Sequence, residues 1–257
     1  MPALGLEAVP DSGRVICAGS SVVHLHRDCA VVFDRSAGRI RALLRTTDRI
    51  ASWQRAKPLQ VPLSIFFADR GVDLLHGGLT SLRGTGVLIA GAPGSGKSTL
   101  ALAALLHGLD FLGDDCVAAQ ETAGGFAGYS VFGSSCVEAG HLARFFARAP
   151  AGRNGGGKTV LPLAQWYTER MPRATTIAAI LLPRVTHAER VSVGAASQRE
   201  ALLALAPSSI LKRAVPAGAA LGRMARLVGA VPAFWLEMGP VAQAGARVGA
   251  LLEELAT

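Results

Sequence analysis

Eight consecutive residues, Gly91, Ala92, Pro93, Gly94, Ser95, Gly96, Lys97 and Ser98, satisfy the pattern G-x-x-x-x-G-K-[ST] in full, and Thr99 follows them as a further candidate residue. Glycines at this spacing let the backbone curl until successive N–H groups point inward, which makes a cradle for phosphate oxygens. A helix beginning near Gly96 adds its positive end to that cradle. In such chemistry Lys97 reaches the β- and γ-phosphates of a nucleotide, and the Ser98 hydroxyl holds Mg2+. Asp114 and Asp115 follow downstream. Phosphoryl transfer to a hydroxyl needs one carboxylate to hold the metal and one to accept or orient the hydroxyl proton. Adjacent aspartates, whose side chains diverge, supply both. Asp is also common in plain turns, so the pair takes its meaning from the loop that precedes it.

A third candidate is the glycine-rich stretch Ala149 to Lys158, which carries Arg153 and Lys158. Such a loop closes over a nucleotide and brings a cation to the charge that develops in transfer, or else it merely connects two elements. Lys158 is the stronger of its two cations as a site residue. Arg223 and Arg226 lie three apart and read as a solvated helix face. His24, His26, His107, His141 and His187 read as structural or surface residues, and Trp53, Trp166 and Trp235 as packing.

The elements that must position these groups are legible around them. Val87 to Ala90 is a buried-strand run that ends at the loop, after a hairpin partner over Leu79 to Leu82 and a turn through Arg83 to Gly86. Lys97 to Leu109 reads as an apolar helix, and Phe111 to Gly113 as a short strand that delivers the aspartates. This is a βαβ unit, and in a parallel sheet the aspartates emerge beside the phosphates. Further along, Cys116 to Gln120 and Tyr129 to Phe132 suggest a hairpin, Val137 to Arg148 a helix and residues 149 to 157 a loop. Thr176 to Leu182 and Ala233 to Glu237 look like strands. Gln198 to Leu205, Ala217 to Leu227 and Val241 to Leu255 look helical. This alternation is an α/β pattern, a mixed sheet flanked by helices. Upstream, residues 14 to 45 read as a small β-meander and 46 to 70 as connecting helices, which divides the chain into 1–70 and 71–257.

Composition excludes several classes. The chain has 257 residues, half of them hydrophobic and 17% charged, which is the profile of a folded protein rather than a disordered one. No apolar run reaches the roughly 18 to 20 residues of a membrane helix. The N-terminus has no basic start and no long apolar centre, so the cytoplasm is the expected compartment. Four cysteines at irregular intervals suggest neither a disulfide framework nor a zinc site, and read as reduced and mostly buried. The net charge of +8 lies entirely after residue 139. Its basic residues are scattered, and 22 of the 26 are Arg, so an anionic ligand explains them better than nucleic acid.

Leu75-His76-Gly77-Gly78, the hairpin and VLIAGAPGSGKSTLALAALLHGLDFLGDD together closely resemble the catalytic core of the HPr kinase/phosphorylase family over Leu75 to Asp115. The histidine, the glycine loop and the Asp pair occur in the family's order and spacing. GGKTVLPL at 156–163 and RLVGAVPAFWLE at 226–237 resemble, more loosely, the HPr-kinase-related proteins of peptide-modification clusters, lasso-peptide kinases among them. No I-E-I-R-G-x-G segment follows the aspartates, and the 70 residues before the core are shorter than the family's N-terminal domain, so the resemblance does not carry over HPr as substrate, phosphorolysis or a hexameric ring. It does imply a P-loop kinase core with a small β-rich N-terminal subdomain, and ATP and Mg2+ as cofactors. It places His76 near the phosphates, where an imidazole helps position a γ-phosphate or a hydroxyl. It gives the base to Asp114 and the metal, with Ser98, to Asp115.

The expected activity is transfer of the γ-phosphoryl group of ATP to a serine or threonine hydroxyl on a peptide or protein, a ribosomal precursor peptide being one such acceptor. Two other readings use the same residues: a kinase for a small hydroxyl compound such as an amino acid, and a nucleotide-gated module that hydrolyses ATP slowly. Neither a nucleic acid nor a membrane is expected as partner, and oligomerisation is left open.

Overall fold

The computed structural model describes residues 13–26, 29–46, 52–142, 145, 158–186, 188–211 and 217–257. The chain begins with four antiparallel strands in simple up-and-down order, β1 (Arg14–Ala18), β2 (Ser21–His26), β3 (Cys29–Asp34) and β4 (Arg39–Leu44). One face of this meander buries Val22 and Phe33 beneath Ile65 and Phe66 of the second of two short helices, α1 (Ser52–Ala56) and α2 (Gln60–Ala68). The Phe33 and Phe66 rings meet edge to face at 5.6 Å.

A nine-stranded sheet follows. Its members are β5 (Val72–Leu75), β6 (Gly78–Leu82), β7 (Thr85–Ile89), β8 (Asp110–Gly113), β9 (Val117–Thr122), β10 (Gly125–Tyr129), β13 (Ala174–Val185), β14 (Ser192–Ala196) and β15 (Ala233–Met238). The main order is β5-β9-β10-β13-β7-β6-β8, with β15 on β13 and β14 on β15. Among the described strands, only the pairings of β13 with β7 and with β15 are parallel. The same β13 pairs β10 through Ala174, Thr175 and Thr176 and β15 from Ile180 onward, so the sheet forks along this strand. A two-stranded ribbon, β11 (Ser135–Glu138) with β12 (Lys158–Leu161), stands beside it.

Helices cover both faces. α3 (Lys97–Leu106) and α8 (Val241–Leu255) close one, and α6 (Gln198–Leu211) and α7 (Ala217–Ala230) the other. The short helices α4 (Ala139–Leu142) and α5 (Leu163–Trp166) flank the ribbon. α3 is built of Leu and Ala, strong helix formers, and Leu100 to Leu105 are all buried, as expected of a helix apolar all round. The mixed sheet between helices and the N-terminal β-meander agree with the sequence reading, and no described helix is long and apolar enough to cross a membrane.

Several expectations are corrected. Residues 135 to 138 pair as a strand with 158–161 instead of opening a helix at Val137; only Ala139–Leu142 is helical there, and residues 143–144 and 146–148 lie outside those described. The second strand of the 117–129 hairpin starts at Gly125, because Thr122 pairs directly with Gly125 across a two-residue turn. β5, β12 and β14 were not expected as strands. Of the cysteines, only Cys116 is buried; Cys17 is exposed, and Cys29 and Cys136 are half-buried.

Candidate functional site

The glycine loop leaves the end of β7, deep in the sheet, and feeds α3. Gly96 sits at φ 101°, a left-handed conformation that favours glycine, and it offers no side-chain cap to the helix N-terminus. A Cβ on Gly96 would meet Val185 and Met238 at 3.1–3.2 Å, and one on Gly91 would meet Ser95 Oγ at 2.5 Å. The loop is therefore held close by its surroundings, with N–H groups at the start of α3 left without a capping side chain. Lys97, buried, donates from Nζ to the carbonyls of Gly91 at 2.8 Å and Ala92 at 3.0 Å, folding its charge back under the loop.

The aspartates arrive by a different route from the expected one. β8 is not the neighbour of β7: β6 runs between them, antiparallel to both. Because Gly78 pairs with Ile89 and Leu79 with Gly113, the ends of all three strands still align, and His76, Gly91 and Asp114 leave the sheet at one edge. Asp115 takes a left-handed backbone conformation, φ 63°, which Asp tolerates better than most residues. That turn separates the two carboxylates.

Asp114 is fully buried. Its Oδ2 accepts from Ser135 Oγ at 2.6 Å, and its Oδ1 has no hydrogen-bond partner. Burial raises its pKa above the ordinary carboxylate range, and the charge of Asp115 pushes the same way; the hydroxyls of Ser135 and Ser98 and the Lys57 ammonium oppose them. Asp115 is a quarter exposed and is paired: Lys57 Nζ donates to its Oδ2 at 2.6 Å. His76 Nδ1 lies 2.9 Å from the Asp115 carbonyl, an acceptor only, so Nδ1 carries a hydrogen, and Nε2 is 3.9 Å from Asp115 Oδ1. The backbone N–H of His76 donates to Ser209 Oγ of α6 at 3.0 Å. The pKa of Lys57 is raised: its burial works against the charged form, but the attraction and hydrogen bond of Asp115 prevail.

His76 and Asp115 face a cleft of 260 Å³, whose walls also include Lys97, Ser98, Thr99 and Glu138; Asp114 is buried and does not line it. The structure thus brings together the whole glycine loop, Asp114, Asp115 and His76. Lys158 opens β12 directly opposite Glu138, a residue that lines the cleft, while Arg153 lies outside the described residues. Sequence reasoning missed Lys57, Ser135 and Glu138. Lys57 stands in a segment read only as connecting helix, and no local spacing pointed from it to Asp115, 58 residues away. Arg223 is also corrected: instead of lying on a solvated face it makes a two-pronged ion pair with the buried Asp73, Nε to Oδ2 at 2.7 Å and Nη2 to Oδ1 at 2.8 Å. Arg226 pairs with Glu121 in the open.

Among the described residues no group of three or more His, Cys, Asp or Glu gathers as a metal cluster. A divalent ion carried by a nucleotide needs less, one or two protein oxygens, with phosphates and water completing its shell. Asp114, whose buried Oδ1 accepts no hydrogen bond and whose carboxylate is within reach of the Ser98 hydroxyl, fits that requirement.

No family model matches the chain, and no curated protein matches it by sequence. Among solved structures, the Hpr(Ser) kinase/phosphatase from Coxiella burnetii is similar at 12% identity and a TM-score of 0.38, over 71% of this chain and 99% of that one. This is a distant structural relationship.

Proposed function

We propose that the chain is an ATP- and Mg2+-dependent kinase that transfers a γ-phosphoryl group to a serine or threonine hydroxyl of a peptide or protein. One observation carries the reading: Lys97, Ser98 and Asp115 line a single cleft, and Asp114 lies against Ser98 beneath it. A triphosphate on the loop takes over the Lys97 ammonium from the carbonyls of Gly91 and Ala92, and the N–H groups at the start of α3 receive its oxygens. Ser98 and Asp114 are the residues that would hold Mg2+, which supplies neutralisation of charge on the phosphates. The acceptor oxygen attacks phosphorus, the bond to the bridging β–γ oxygen breaks, and the hydroxyl proton passes toward Asp115. Lys57 pairs with the Oδ2 of Asp115, and His76 holds its backbone carbonyl.

This division reverses the one implied by the family resemblance, which gave the base to Asp114 and the metal to Asp115. The surroundings favour the reversal, because Asp114 is sealed against Ser98 whereas Asp115 faces the cleft. Lys158 is proposed to act on closure: Lys158→Ala should lower turnover and leave ATP affinity in the absence of acceptor nearly unchanged.

The peptide or protein acceptor rests on the resemblance of residues 75–115. Incubation with γ-labelled ATP, Mg2+ and serine- or threonine-bearing peptides tests it. Label on peptide supports the reading, label on free serine or threonine moves it to a small-molecule kinase, and release of phosphate alone leaves a slow ATPase.

A further inference from the structure

Across the glycine loop from the aspartates lies a second and larger cavity of 580 Å³. Residues Ala90 to Ser95 form its floor, and it shares Pro93 and Gly94 with the acidic cleft, so one extended ligand on the loop reaches both. Its walls come from the end of β13, from α6 and from β15. Val185 and Leu203 line it, although they are 57% and 62% exposed, apolar side chains that the protein's own core leaves in the open.

The aromatic wall is fixed in place. Trp235 donates from Nε1 to Glu200 Oε1 at 3.2 Å. Glu200 is itself locked at the start of α6, its Oε2 accepting from the Ser197 N–H at 2.8 Å and Oγ at 2.7 Å, while Ser197 Oγ accepts the Glu200 N–H at 3.2 Å. The Arg184 guanidinium lies 4.2 Å over the indole ring, with its side chain 55% exposed. A held indole, a half-exposed guanidinium lying over it and two open aliphatic side chains around a roomy cavity form a stacking platform for a flat heteroaromatic ring.

Resting on the reading of the loop as a phosphate site, we propose that this cavity is the nucleoside subsite, holding a purine base by stacking against Trp235 and Arg184. The polar side chains of the platform are already engaged with one another, Trp235 with Glu200, Glu200 with Ser197, and Arg184 within 4.0 Å of Glu237. Recognition is consequently by ring face rather than ring edge, so ATP and GTP bind alike. A nucleoside triphosphate lies along the loop with its base here and its γ-phosphate at Lys97 and Asp115.

The test is calorimetry on the full chain with Mg2+ and three probes: ATP, GTP and inorganic tripolyphosphate. Wild type should bind ATP and GTP within about threefold of each other and tripolyphosphate at least tenfold more weakly. Trp235→Ala should weaken both nucleotides about tenfold to a hundredfold and leave tripolyphosphate unchanged, with Trp235→Phe keeping most of the affinity. Should Trp235→Ala fail to fold, Arg184→Ala and Leu203→Asp, at exposed positions, carry the same test. Equal loss for all three probes, no loss for any, or a strong preference between ATP and GTP overturns the inference while the phosphate site stands. If neither tripolyphosphate nor ATP binds wild type, the loop reading itself falls, and this inference with it.

Discussion

Lys57 Nζ donates to Asp115 Oδ2 at 2.6 Å, a contact that joins the N-terminal helical connector to the carboxylate facing the cleft. The lysine is almost completely buried, so its charge has no partner in water to replace that carboxylate. Lys57→Met should therefore lose about 2–3 kcal/mol of stability, below the roughly 3–5 of a fully buried pair because Asp115 keeps some solvent. Denaturant melts of Lys57→Met, Asp115→Asn and the double variant check this. The double variant should recover much of the loss, since it leaves no unpaired buried charge.

Lys97 holds the loop in the nucleotide-free chain and is proposed to hold phosphates in the loaded one. Lys97→Ala should fold, with its melting temperature lower by a few degrees for the two lost hydrogen bonds at about 1 kcal/mol each. Phosphoryl transfer should fall by roughly a hundredfold to a thousandfold. Unchanged kinetics in a transfer assay would remove the loop from the site.

Asp114 carries a destabilising charge. Its folded-state pKa is raised by burial and by Asp115, so the native chain holds the proton more tightly than the unfolded one. The penalty of ionisation is then present in full above the raised value, shrinks as pH falls below it, and is gone once pH is below the carboxyl's value in the unfolded chain. Asp114→Asn should accordingly melt higher than wild type near neutral pH, with the difference shrinking on acidification below the raised value. Metal-dependent nucleotide binding should weaken in the same variant. Thermal melts across pH 4–8, alongside calorimetry with and without Mg2+, read both effects.

Arg223 ties α7 to β5, the strand that leads into His76. Arg223→Ala strips the buried Asp73 of its two-pronged ion pair and should cost about 3 kcal/mol, whereas Arg226→Ala, whose partner Glu121 is exposed, should cost well under 1 kcal/mol. Parallel chemical denaturation of the two variants separates them.

The parts of the site that lie close in sequence were readable from it. The loop, its strand and its helix follow from an unbroken motif in the right hydrophobic context, and the short strand delivering Asp114 and Asp115 follows from the helix that ends before it. Lys57 and Ser135 were not readable, because each reaches the aspartates through tertiary packing that no local period encodes. The ribbon of β11 and β12 was lost for a similar reason: Val137 and its neighbours suit a helix in isolation, and only the pairing of Ser135 with Leu161 makes them a strand. Arg223 and Arg226 show the limit of helical spacing. It placed both on one face, yet only the tertiary fold puts a buried Asp73 under the first.

The forked strand β13 also acts as a ruler. It carries one extra residue opposite β7, between Ile177 and Ala179, and past that irregularity it exchanges β10 for β15 as its neighbour. Because side chains alternate faces along a strand, adding or deleting a single residue beyond Ala179 would turn Leu182 and Val185 over and slide Trp235 out of step with the glycine loop. Insertions should be borne at surface turns such as Ala123-Gly124 and rejected within Ala174–Val185. Along this stretch the chain is constrained in its length at least as strongly as in its chemistry.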